Sequence, residues 1–243
     1  MKPVAILQHE EHMGPGSLQA CLLQLAIPMQ LIRPDRGQPV PKDVHEFSGI
    51  VVLGSERSVL DPVPWVRTEL SLARDCLAHD VPMLGLGYGA QVLTMAAGGK
   101  IKPSSSPCYG WAPSWLSQDG SALFGTQAQL EVFNAHAHAL ELPAQARSVL
   151  FDKRCLNKGF AVGASLGMLC PLELTATGLQ AWCEHRGSKL VQSKGPDVQS
   201  RISMLRALPE RMGKLNALAT QVFTHWALQL PGAPRPMDFK LAA

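Results

Sequence analysis

The chain has no long hydrophobic run and little charge. No stretch of its 243 residues approaches the roughly 20 apolar residues that a membrane span needs, and the apolar run near the start is too short for a secretion signal. We therefore expect a cytoplasmic protein without a membrane partner. Charged residues make up only 17% of the chain, and the net charge is +3. The modest basic cluster at residues 201–214 favours a solvated helix face over a nucleic-acid interface.

Paired cysteines are also missing. The sequence contains six cysteines but no C-x-x-C pair, which argues against a zinc ribbon and against a disulfide framework in a chain of this size. We expect buried free thiols and no cofactor. The cysteines are Cys21, Cys76, Cys108, Cys155, Cys170 and Cys183.

Apolar runs alternate with helical patterns in the first hundred residues. Strands are predicted at residues 4–8, 29–32 and 49–53, with a helix capped by Ser17 after the first and an amphipathic helix over residues 65–80. This alternation predicts a parallel sheet with helices on both faces. Beyond Lys100, shorter strands are predicted at residues 113–117, 129–133 and 149–152.

The length of the chain fits one α/β domain better than two. We predict that residues 1–192 form this domain and that residues 193–243 form a helical extension packed on it. Residues 193–197 have the composition of a linker. Residues 198–230 are predicted to be helical with a break near Pro209, and the tail from Pro231 is expected to be loose.

Three glycines at alternate positions mark the centre of the sequence. Gly85, Gly87 and Gly89 end an apolar run, and a helical pattern begins at once with Gln91. Such a sharp strand-to-helix turn has the shape of a nucleophile elbow, which presents its tip residue beside helix N–H groups at the carboxyl end of a sheet. The tip is Gly87, so this elbow has no nucleophilic side chain.

The elbow resembles that of the class I glutamine amidotransferase family, G-[IV]-C-x-G-x-Q, with Gly87 at the cysteine position. Further short motifs follow in the family's order and extend the resemblance over roughly residues 4–173. They include residues 49–55 (GIVVLGS), 98–100 (GGK), 109–111 (YGW) and 132–136 (VFNAH). The resemblance implies a doubly wound, mostly parallel, flavodoxin-like α/β fold with a mixed antiparallel edge.

A second catalytic position is also changed. Residues 167–173 (GMLCPLE) match the family's late Q-F-H-P-E motif, which puts Pro171 at the histidine position and keeps Glu173 as the acid. Glutaminase chemistry needs a thiolate and a histidine that accepts its proton. The resemblance therefore implies no intact catalytic triad at Gly87, Pro171 and Glu173, and loss of one triad member costs on the order of a million-fold in rate. Cys170 is expected to be a core thiol, since strand alternation points it away from Pro171.

The resemblance also implies a pocket that could still bind a glutamine-like small molecule. Its expected residues are Gly54, Ser55, Tyr88, Gln91 and His136. Tyr88 would supply the remaining oxyanion N–H group, and Gln91 matches the family's glutamine-pocket residue. Ser55 departs from the family's G-G-P loop.

For several neighbouring side chains the sequence allows two interpretations, as pocket groups or as surface groups. Glu56 either carries its charge into the pocket or points away as a surface acid. His136 and His138 are either pocket groups or loop histidines. One strand face could present both to a metal, but no third ligand is evident, so we predict no metal. His9 and His12 are weaker candidates for the pocket edge.

Three functions compete. We favour a catalytically silent amidotransferase-like protein that binds a small molecule or a partner. The first alternative is an enzyme that uses other pocket residues, such as His136, His138 or Glu173, as acid or base. The second alternative is a structural subunit that docks on a synthetase or ligase, or a homo-oligomer, and it predicts an exposed apolar patch.

Overall fold

The computed structural model describes residues 1–125 and 130–233. Within these ranges the chain forms nine strands that join in one sheet of order β2-β1-β3-β4-β9-β8-β7-β5-β6. The strands are β1 (Val4–Leu7), β2 (Met29–Ile32), β3 (Gly49–Val52), β4 (Met83–Leu86), β5 (Lys100–Leu116), β6 (Leu130–Glu141), β7 (Arg147–Phe151), β8 (Gly159–Val162) and β9 (Ser165–Met168).

Eight α-helices cover the described part of the sheet. They are α1 (Gly16–Gln24), α2 (Pro64–Ala78), α3 (Tyr88–Ala96), α4 (Gln118–Phe124), α5 (Ala176–His185), α6 (Gly187–Gln192), α7 (Arg201–Leu205) and α8 (Leu208–Ala227). None of the helices in the described ranges is long and apolar enough to cross a membrane.

Strands β2, β1, β3, β4 and β9 are parallel, and the rest of the sheet is antiparallel. Alternate residues of β1 lie in different cores: Val4 and Ile6 pack with α1 and α8, whereas Ala5 and Leu7 pack with α2 and α3. Burial on both faces explains why the parallel strands are continuous apolar runs. The predicted doubly wound α/β fold with a mixed antiparallel edge is confirmed.

Of the short strands predicted after Lys100, the one at residues 149–152 corresponds to β7, but those at 113–117 and 130–133 are parts of much longer strands. Strand β5 spans 17 residues and forms a long hairpin with the 12-residue β6. Its Pro103 lies where β5 pairs with β6 alone, at the edge of an irregularity in register before Cys108. A strand tolerates proline where one side of its backbone needs no partner. Gln129, predicted to begin a strand, lies outside the described residues.

Two helix predictions need correction. Ser17 does not cap α1, because the helix already begins at Gly16 and the Ser17 hydroxyl donates to the Leu172 carbonyl at 3.1 Å. The long C-terminal helix is interrupted as predicted, but at residues 206–207, where Ala207 has φ 51°. Pro209 lies in the first turn of α8, where no N–H group is needed.

Helix α8 joins the core of the sheet. Its buried Val222, Phe223 and Trp226 lie in the same hydrophobic cluster as Val4 and Ile6 of β1. The predicted loose tail falls mainly on residues 234–243, which lie outside the described ranges.

Two helical glycines should respond in opposite ways to alanine. A Cβ at Gly89 would lie 2.0 Å from the Val52 carbonyl oxygen, so Gly89→Ala should destabilise the protein by about 3 kcal/mol or more. A Cβ at Gly213 in α8 meets nothing within 4 Å, so Gly213→Ala should stabilise it by about 0.5–1 kcal/mol. Urea unfolding of the two variants measures both changes. Equal effects would contradict the close helix–sheet contact.

Candidate functional site

The predicted elbow joins β4 to α3. Its tip, Gly87, has φ 54° and ψ −107°, a conformation that L side chains rarely adopt, and its N–H donates to the Met168 carbonyl at 2.8 Å. A Cβ at Gly87 would meet Gly54 Cα at 3.2 Å. The elbow thus has the nucleophile backbone geometry, but no side chain at its tip.

A buried hydrogen-bond network lies behind the elbow. The Tyr88 hydroxyl donates to Glu69 Oε2 at 2.8 Å, and His9 Nε2 lies 2.6 Å from Glu69 Oε1. All three side chains are buried, and the His9 ring packs against Trp65 and Tyr88. Burial, followed by the nearby Glu69 carboxylate, raises the pKa of Tyr88. His9 is therefore a structural group behind the turn and does not lie at the pocket edge.

The sequence argument missed Glu69, although a signal was present. Glu69 shares its helical spacing with Val66, Leu72, Ala73 and Cys76, which form the buried face of α2. A carboxylate on that face must find donors inside the protein, because an unpaired buried charge is costly.

A cavity of about 130 Å³ opens in front of the elbow. It brings together seven of the predicted positions: Gly54, Ser55, Gly87, Tyr88, Gln91, His136 and Pro171. His138 also lines it. Glu173 instead lines a neighbouring cavity of about 330 Å³, which shares Met13, Ala135 and Pro171 with the first. We call these the elbow cavity and the side cavity.

Gln91 ties the elbow helix to the loop after β3. Its Oε1 accepts hydrogen bonds from the Ser58 hydroxyl at 2.8 Å and from the Val59 N–H at 3.2 Å. Because Gln91 is buried and its carbonyl is already paired, the residue shapes the wall of the cavity. Only its amide NH₂ group remains to contact an occupant.

The loop after β3 is held by Glu10. Glu10 Oε1 accepts from the Ser55 hydroxyl at 3.1 Å and from the Glu56 N–H at 3.2 Å. The Glu56 carboxylate lines the elbow cavity and is paired with Arg186, whose Nε lies 3.1 Å from Oε1. Burial opposes the ionisation of Glu56, but Arg186 with His185 and Lys189 outweighs it and lowers the pKa. The Glu56 carboxylate therefore lies at the cavity, as the first interpretation predicted, but its charge is neutralised by Arg186.

His136 and His138 lie on strand β6, so their interpretation as loop histidines is wrong. His136 Nδ1 lies 3.2 Å from the His138 carbonyl oxygen, and Nε2 has no partner among the described residues. Burial, and then the Lys158 charge, lowers the pKa of His136 to about 4. Burial also lowers the pKa of His138. His136 is therefore neutral at pH 7.

Glu173 is buried without the partner that a triad acid would have. Its Oε2 has no hydrogen-bond partner among the described residues, and burial raises its pKa to about 7 although backbone N–H groups of Glu173 and Gly54 oppose the shift. Cys170 lies in the core, as predicted, although β9 already ends at Met168, and burial raises the pKa of Cys170 to about 12. Neither residue provides a reactive group to the elbow tip.

The family model Glutamine amidotransferase class-I matches residues 16–162, more than half of the chain. The match includes the elbow and ends before Pro171 and Glu173. The GMP synthase [glutamine-hydrolyzing] of Porphyromonas gingivalis strain W83 is 38% identical over 102 residues, which are 42% of this chain and 19% of that protein. The chain thus spans about a fifth of the length of that relative.

Solved structures match over nearly the whole chain. The crystal structure of a glutamine amido transferase from Methylobacillus flagellatus superposes with a TM-score of 0.92 and 31% identity, and the match covers 97% of this chain and 98% of that one. A glutamine amidotransferase from Thermotoga maritima superposes with a TM-score of 0.82 at 20% identity, covering 93% and 98% of the two chains.

Glu173 should make stability depend on pH. Because its pKa is raised from 4.5 to about 7, the folded protein binds the proton more tightly than the unfolded chain. This stabilisation is fully present below about pH 4.5 and is lost as pH rises through about 7. The loss lowers the free energy of unfolding by roughly 3 kcal/mol. Glu173→Gln should therefore be more stable than the unmodified protein at pH 8 and lose this advantage at pH 5.

Urea unfolding at both pH values measures this difference. Glu46→Gln, which changes an exposed carboxyl group, serves as the matched control and should shift stability little at either pH. A Glu173→Gln effect that is the same at pH 5 and pH 8 would show that Glu173 is ionised throughout.

Proposed function

The chain belongs to the class I glutamine amidotransferase family, and from this premise we propose that it binds a small ligand in the elbow cavity without hydrolysing glutamine. The observation that carries the proposal is the glycine at the elbow tip. Attack on an amide needs a nucleophilic atom at that point, and Gly87 has none. Since the backbone beside it keeps the elbow geometry, the cavity remains while the reaction is lost.

Pro171 supports the same conclusion independently. It lines the elbow cavity together with Gly87, at the position that the family's late motif gives to histidine. A proline ring neither accepts nor returns a proton. Other groups do not replace it: no hydrogen bond joins the side chains of His136, His138 and Glu173 to one another among the described residues, and His136 Nδ1 contacts only the His138 backbone carbonyl. The alternative of an enzyme with new acid and base residues therefore has weaker support.

The cavity favours a small occupant with a carboxylate or amide oxygen. Its volume of about 130 Å³ is below the range of about 300–1,000 Å³ typical of pockets for drug-sized ligands. The first turn of α3 has backbone N–H groups without partners in the helix, and these groups together with the helix dipole favour an anionic or carbonyl oxygen. A free amino acid such as glutamine has this size and chemistry.

A second candidate function is docking on a synthetase-type partner. The curated relative from Porphyromonas gingivalis is named as a GMP synthase, and this chain matches only a fifth of it. Val191 on α6 and Ile202 on α7 are 82% and 77% exposed. Exposed apolar side chains on neighbouring short helices are compatible with a protein contact, but isolated ones are common on any surface.

Glutamate release from L-glutamine tests the proposal. The unmodified protein, Gly87→Cys and Pro171→His should each release no more glutamate than buffer, because each lacks the thiol or its proton acceptor. The double variant Gly87→Cys/Pro171→His should gain measurable activity, since triad members act as a unit. Gly87→Cys should also lose about 1–3 kcal/mol of stability, because a side chain at φ 54° is strained.

The matched control is Gly87→Ala/Pro171→His, which introduces the same backbone strain without a thiol. Calorimetry with L-glutamine, and with D-glutamine as the stereochemical control, measures binding to the unmodified protein. Glutamate release by the unmodified protein would contradict the loss of activity. Equal or absent binding of both enantiomers would contradict the retained pocket.

A further inference from the structure

Three metal-ligating side chains converge beside the two cavities, where Glu56 lines the elbow cavity and His12 lines the side cavity. His12 follows β1, Glu56 follows β3 and His185 ends α5. His12 Nε2 and His185 Nε2 each lie 3.8 Å from Glu56 Oε1, and the three ligand atoms all lie within 4.8 Å of one another. Residues 44 and 129 positions apart are thus brought to one point by the fold.

We propose that His12, Glu56 and His185 bind a divalent transition-metal ion of the zinc type. Two imidazoles and one carboxylate form a donor set that zinc uses in proteins, and imidazole also suits nickel and cobalt. Metal–ligand bonds of about 2.0–2.2 Å place tetrahedral ligand atoms about 3.4 Å apart. The observed separations therefore need only small side-chain movements.

An orphaned nitrogen supports the site. His12 Nε2 is buried and has no hydrogen-bond partner among the described residues. Buried polar atoms normally have a partner, and a metal ion would supply one here. The sequence argument considered only His136 and His138, which lie on β6; it missed this group because His185 is distant in the chain.

Binding requires one ring to move. The imidazoles of His12 and His185 are stacked, with centroids 4.1 Å apart and an interplanar angle of 26°. A metal ion lies near the plane of each imidazole that binds it, so the rings must leave the stack. His185 is free to tilt because its side chain is 53% exposed, whereas His12 and Glu56 are largely buried. The site thus has two fixed ligands and one mobile ligand.

Two cationic side chains beside Glu56 tune the affinity. Arg186 holds the carboxylate from the side and is itself placed over the rings of Tyr109 and Trp182, at 4.9 and 5.3 Å. Hydrogen bonds of this kind orient ligating carboxylates. Lys189 lies 3.6 Å from Glu56 Oε2 and is 70% exposed, so it competes with the metal without fixing the ligand.

Titration of the chelator-treated full chain with zinc, by calorimetry, tests the site, and cobalt provides a visible-absorption signature of imidazole coordination. One ion should bind per chain. His185→Ala and Glu56→Gln should each lower the affinity about 100-fold or more. Lys189→Ala should raise it several-fold, because it removes a competing positive charge.

His79→Ala is the matched control. His45 and His79 also form a ring pair, with centroids 4.9 Å apart, but among the described residues they belong to no group of three metal-ligating side chains. This variant should leave the affinity unchanged. Thermal melting without metal checks that each variant is folded; His185→Ala alone suffices if Glu56→Gln is unstable. Absence of binding at millimolar zinc, or equal affinity in folded His185→Ala, would overturn the proposal.

Discussion

The close contact between the elbow helix and the sheet is the constraint on which the site depends. A side chain at Gly85 would lie 2.3 Å from the Gly89 carbonyl oxygen, and one at Gly89 would collide with Val52. Without these side chains, α3 begins directly over β4. Its first turn then faces the loop after β3, and Gln91 reaches Ser58 and Val59. The cavity is a consequence of backbone packing.

The Glu69 network explains why this geometry persists without a nucleophile. Its carboxylate lies in the core and is paired with Tyr88 and His9, so removing either partner would leave a buried polar group unsatisfied. The network joins the segment after β1 to α2 and to the first residue of α3. It fixes the turn independently of Gly87, which occupies its φ of 54° without the strain that another residue would bear. The Glu69 network thus stabilises the elbow from the core side, and a nucleophile at the tip is not needed for the fold.

Sequence reasoning worked where the signal is local. Parallel strands buried on both faces are continuous apolar runs. The three glycines at alternate positions predict the sharp turn at Gly87. It failed at β5, because prolines suggest breaks when the partner on each side of a strand is unknown. It also missed Glu69, Arg186 and His185. Glu69 pairs with His9, 60 residues away, and Arg186 pairs with Glu56, 130 residues away, and His185 lies near the same carboxylate; pairing at such distances cannot be read from spacing along the chain.

The electrostatics of the site follow from the residues at positions 87 and 171. A thiolate and an imidazolium would give an active elbow opposite charges, but here Gly87 and Pro171 carry none. Burial keeps His136 neutral, and at or below about pH 7 burial also favours the protonated form of Glu173. Under the proposed function, backbone dipoles and amide groups would bind an oxygen atom of the occupant without activating it. Glu56 and Arg186 also line this cavity, and their opposite charges are paired with each other. In the proposed function, such a site recognises a ligand and does not transfer protons.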